Sequence, residues 1–83
     1  MHELGLAMEI AAIAGEAAAK SGAKRIEAVH VRLGTRAGVV KEALLFAWDA
    51  ASADSAAAGA RLAIEDAADR EFEVVALEVE DEV

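Results

Sequence analysis

At 83 residues the chain is long enough for one domain and too short for two. It contains no cysteine, which excludes a disulfide framework, a thiolate zinc site and a thiol nucleophile. Its net charge of −8, from 16 acidic and 8 basic residues with Lys24-Arg25 the only adjacent basic pair, argues against phosphate-backbone binding, so no nucleic acid is expected as a partner.

No apolar run approaches the roughly 18 residues that span a bilayer. The N-terminus opens on His2 and Glu3 rather than on a basic stretch, and Glu9 and Glu16 interrupt the apolar segment that follows, unlike a secretory signal. The expectation is a soluble, acidic, cytoplasmic protein with no membrane association. Alanine supplies much of the 57% hydrophobic content and aromatics only 4%, so the few large apolar side chains are assigned to the core.

Residues 3–21 carry a helical pattern, with Leu6, Ile10, Ile13 and Ala17 at spacings of four and three and Ala14 widening the stripe. Lys20 and Gly22 form its stop, whereas no Ser, Thr, Asp or Asn caps its start. Residues 26–33 alternate as a half-buried strand, Val29, Val31 and Leu33 inward and His30 and Arg32 outward. Gly34 and Gly38 bound a loop, and a second helix is expected over 40–51, with Val40, Leu44, Ala47, Trp48 and Ala51 on its apolar face. Residues 52–59 read as a connection. A second strand follows around Leu62 and Ile64, and a third over 71–80 turns Phe72, Val74, Leu77 and Val79 inward. The change of parity between Val74 and Leu77 predicts a β-bulge. The fold class is therefore α/β, in the order α-β-α-β-β, a single domain with a three-stranded mixed sheet and two helices on one face. Strands one and two, joined through helix two, should be parallel. The four residues Ala67-Ala68-Asp69-Arg70 between strands two and three predict an antiparallel hairpin.

Signals of catalysis are missing. There is no phosphate-binding glycine loop and no His-Glu-x-x-His, and Ser21, Ser52 and Ser55 have no histidine nearby in sequence. Trp48, Phe46 and Phe72 are assigned to the core rather than to a ligand pocket, and His30 to the surface. One constellation has chemistry of its own. Histidine at position 2 is too large for methionine removal, so the mature chain should begin at Met1. Its α-amine, the His2 amide nitrogen and the His2 imidazole can then enclose one ion in fused five- and six-membered rings. Loss of the amide proton demands a strongly polarising ion such as Ni(II) or Cu(II), which also favours square-planar nitrogen ligation. Amides in the first turn of a helix have no carbonyl partner to lose. The two residues alone leave open a chelate or an ordinary histidine on a frayed end.

Met1-His2-Glu3-Leu4-Gly5-Leu6-Ala7 resembles the opening of the HypA/HybF family of nickel-insertion accessory proteins. The resemblance continues through Lys24-Arg25-Ile26, residues 29–34, Gly38-Val39, Glu42-Ala43-Leu44 and Phe46. It resumes at Ala57, Gly59-Ala60-Arg61-Leu62 and Ile64-Glu65, and closes with Glu71-Phe72, Val74 and Leu77-Glu78-Val79-Glu80. It implies an α-β-α-β-β nickel-binding domain over residues 1–83 that serves maturation of [NiFe]-hydrogenase, or urease, by delivering Ni(II). It also implies nickel ligands at Met1 (amine), His2 (amide and imidazole) and Glu3 (amide), no enzymatic activity, and a HypB-like GTPase and the hydrogenase large subunit as partners. The family's zinc domain, with two Cys-x-x-Cys pairs, is absent here between residues 66 and 71, so no zinc is expected. Lys41 and Arg36 also stand where the family usually has proline and leucine. The alternative is a metal-free docking or regulatory module derived from the same family.

Overall fold

The computed structural model describes residues 3–80. Its elements follow the expected order: α1 (Glu3–Ser21), β1 (Arg25–Gly34), α2 (Lys41–Ser52), β2 (Arg61–Ala67) and β3 (Phe72–Glu80). They form one three-stranded sheet with both helices packed on one face. No helix among the described residues is long and apolar enough to cross a membrane.

α1 ends as its sequence dictates. Gly22 takes a positive φ of 71°, and the N–H groups of Ala23 and Gly22 donate to the carbonyls of Ala18 and Ala19, the paired bonds of a Schellman stop. The buried arc of α1 differs from the expected one. Leu6, Ala7, Ile10, Ala11, Ala14 and Ala18 are buried, whereas Ile13 is 41% exposed and Ala17 is exposed. The cause is a second contact surface: α1 packs on α2 as well as on the sheet. A Cβ added at Gly15 of α1 would lie 3.4 Å from the Cβ of Ala56, just beyond the end of α2. Val40 also departs from expectation. It precedes α2 and is 58% exposed, while Leu44, Trp48 and Ser52 form the buried side of that helix. Ser52 ends α2 instead of opening a connection, and its hydroxyl donates to the Trp48 carbonyl at 2.8 Å.

The strand order is β2-β1-β3. β1 runs parallel to β2, from Ala28 opposite Arg61 to Gly34 opposite Ala67, and antiparallel to β3. The expected hairpin between the second and third strands is therefore incorrect, because those strands occupy opposite edges of the sheet. Two facts make this arrangement possible. β1 is the strand most deeply buried, with Ile26, Ala28, Val29, Val31 and Leu33 all in the core, so it takes the centre. Residues 68–71 then cross the end of β1 directly over Gly34, where an added Cβ would overlap the backbone of Asp69 and Glu71. The Gly34 N–H donates to the Glu71 carbonyl at 2.6 Å, and the Arg36 N–H to the Asp69 carbonyl at 2.7 Å. The β3 bulge lies where the parity change put it. His30 pairs with Ala76 and Val31 with Val74, which leaves Val75 as the extra residue and turns Phe72, Val74, Leu77 and Val79 toward the core. A further shift leaves Glu27 of β1 unopposed.

Candidate metal centre

Met1 and His2 lie outside the described residues. Glu3 is the first residue of α1, so its amide belongs to the first turn of that helix. Its carboxylate reaches across the molecule and accepts a hydrogen bond at 3.0 Å from the Val40 N–H, directly ahead of α2. α1 and α2 lie side by side in the same direction, start beside start. Glu3 is thereby anchored to the segment joining β1 and α2. Residues 3 and 40 are 37 positions apart and show no pattern that relates them, so this link is not readable from sequence.

The other chemically distinctive side chains lie elsewhere. His30 faces outward on the sheet, as expected, where its Nε2 is 2.6 Å from a Glu78 carboxylate oxygen. Arg61 approaches the same oxygen at 3.3 Å. The hydrogen bond from His30, followed by the charges of His30 and Arg61, holds the Glu78 carboxyl below its ordinary range. Arg32 similarly spans the sheet, with Nε 2.7 Å from Glu71 and Nη1 2.6 Å from Glu65. The outer face is thus a lattice of cross-strand ion pairs. Among the described residues no three His, Cys, Asp or Glu side chains converge closely enough to hold a metal ion.

The aromatic residues divide. Trp48 is 3% exposed and its indole N–H donates to the Ala60 carbonyl at 2.7 Å. Phe72 is half-buried against the core. Phe46, assigned to the core from sequence, is 90% exposed. Residues 46 and 48 stand about 200° apart on a helix of 3.6 residues per turn, so only one can face inward.

Residues 1–73 match the family model described as hydrogenase/urease nickel incorporation, metallochaperone, HypA. A hydrogenase maturation factor HypA of Roseiflexus sp. (strain RS-1) is 56% identical over 66 residues, which is 80% of this chain and 54% of that protein. Its counterpart in Chloroflexus aurantiacus (strain ATCC 29366 / DSM 635 / J-10-fl) is 50% identical over 66 residues, 80% of this chain and 58% of that protein. The chain therefore spans a little over half the length of these curated relatives. The solution structure of the Ni metallochaperone HypA from Helicobacter pylori superimposes with a TM-score of 0.85 at 21% identity, covering 99% of this chain and 100% of that one, which establishes the shared fold. On the match over residues 1–73, the chain belongs to the HypA family of hydrogenase and urease nickel-incorporation metallochaperones.

Proposed function

We propose that the chain captures Ni(II) at its N-terminus, through the Met1 amine, the His2 amide and imidazole, and the Glu3 amide. It then releases the ion during maturation of [NiFe]-hydrogenase. The observation that carries this reading is the Met1-His2-Glu3 opening in a chain of the HypA family. Glu3 supports it locally, since its carboxylate ties the start of α1 to the Val40 N–H ahead of α2. The role is that of a carrier in the cytoplasm, not an enzyme. Handover requires a nucleotide-dependent partner and an acceptor, which we take to be a HypB-like GTPase and the hydrogenase large subunit. No zinc takes part, because the sequence contains no cysteine to bind it as the family's zinc domain does. Residues 1–83 form one nickel-binding domain in this reading.

Calorimetric titration of Ni(II) into the untagged chain tests the proposal, with one ion per chain as the expected result. His2→Ala should abolish binding, and an acetyl group on Met1 should do the same, since it removes the α-amine and leaves every side chain in place. Cu(II) should bind more tightly at the same nitrogens. Binding should fade as pH falls toward and below about 6.5, where protons compete for the imidazole and the amine. His30→Ala should leave the affinity unchanged. Full nickel affinity in His2→Ala would move the ion to another site on the chain, and no nickel binding by the untagged chain would favour a metal-free docking module.

A further inference from the structure

The sequence provides two acids for every basic residue. Accordingly Lys20, Lys24, Arg25, Arg32, Lys41 and Arg61 each reach a carboxylate. The two remaining cations, Arg36 and Arg70, reach none among the described residues. They come together, with Asp69, in the lining of one cleft at the end of the sheet where residues 68–71 cross β1. Asp69, the third residue of that lining, makes no ion pair with either arginine.

The backbone holds this cleft in shape. Arg36 donates its N–H to the Asp69 carbonyl at 2.7 Å, Thr35 to the Ala67 carbonyl at 3.2 Å, and Glu71 to the Ala68 carbonyl at 3.1 Å. Asp69 completes the turn at a positive φ of 48°. Two arginines therefore stand on segments stitched to each other and line one cleft, with no carboxylate paired to either among the described residues. Like charges so placed repel, and a ligand that accepts from both relieves that repulsion.

We propose that the Arg36–Arg70 cleft binds a phosphate-type oxyanion, free or at the end of a nucleotide. Each guanidinium presents a planar fork of N–H donors suited to two oxygens. One carboxylate has only two oxygens and is satisfied by one fork, whereas a tetrahedral dianion offers enough oxygens and enough charge for both. The Asp69 carboxylate opposes any anion, which selects for a ligand engaged by both arginines over one held by either. This site is independent of the nickel reading and uses none of its residues.

Titration of inorganic phosphate into the full chain, followed by amide and guanidinium NMR resonances at constant ionic strength, tests it. The expected result is a saturable shift in the millimolar range centred on Arg36, Asp69 and Arg70. Arg36→Gln and Arg70→Gln should each weaken binding about tenfold or more, the loss expected for a charge-assisted hydrogen bond. Arg36→Lys should weaken it too, because the charge remains and the fork does not. Arg61→Gln should leave it unchanged. A nucleoside triphosphate run in parallel separates the sources: tighter binding assigns the site to a nucleotide's terminal phosphate, and equal binding to the free ion. Acetate binding as strongly as phosphate, a shift that fails to saturate, or phosphate binding that survives in the Arg36→Gln/Arg70→Gln double variant would overturn the proposal.

Discussion

Trp48 fills the space between α2 and the sheet, and its single polar atom is satisfied by the Ala60 carbonyl. Truncation to alanine removes both the packing and the bond, and should cost about 3–5 kcal/mol in thermal or denaturant unfolding. Trp48→Phe keeps most of the volume but leaves the buried Ala60 carbonyl without its donor, a loss of about 1–3 kcal/mol. Phe46→Ala, two residues earlier on the exposed side, should change stability by less than about 0.5 kcal/mol. A large loss at Phe46 would contradict its exposure. The periodicity of the helix already separates these two rings, so the inward face was readable at Trp48 and misread at Phe46. Met1-His2-Glu3 suggests a chelate in sequence because its donors are consecutive, and Met1 and His2 lie outside the described residues. The links from Glu3 to Val40 and from Arg36 to Arg70 were not readable, because the partners meet only through the fold.

Among the elements, β3 shows what a sequence pattern can fix. Phe72 and Val74 point one way by even spacing, Leu77 and Val79 by odd, and only an extra residue between them lets all four share the core; Val75 is that residue. The pairing partner of β3 could not be read in the same manner. A four-residue connection limits distance, and it allows either a turn back along β2 or a crossing to the far side of β1. The choice depends on which strand is central, which the burial of Val29 and Val31 decides. In α1 the abundance of alanine hid the answer, since small apolar residues stand on nearly every face and the helix contacts both the sheet and α2. On the outer face of the sheet, Glu78 links β1, β2 and β3 through His30 and Arg61. Its carboxyl is held below the ordinary range in the folded chain, so its contribution to stability is complete above the unfolded-state value and is lost as pH falls through the folded one. Glu78→Gln should therefore melt lower than the parent at about pH 7, and the difference should shrink as pH falls through the lowered folded value, where the carboxylate takes up a proton in the folded chain as well. A difference that persists at low pH would show that Glu78 acts through packing rather than charge.

For the molecule as a whole, the close approach at Gly34 carries the topology. Gly34→Ala places a Cβ against the backbone of Asp69 and Glu71, atoms that cannot rotate away as a side chain would. The expected cost is that of overpacking, about 1–3 kcal/mol in unfolding, and Gly34→Val should cost more. An unchanged melting temperature in Gly34→Ala would mean that residues 68–71 do not cross there. The strand order also sets a sequence of events. The central strand is made early and one of its two neighbours last, since Arg25 pairs with Glu80 and Leu33 with Phe72. A growing chain can assemble β1, α2 and β2 as a unit, but one margin of its most apolar strand stays bare until the final nine-residue strand is delivered. That closure joins residues distant in sequence, the kind of contact that slows folding. In the interval the open margin of β1 is the surface through which two nascent chains would stick to each other.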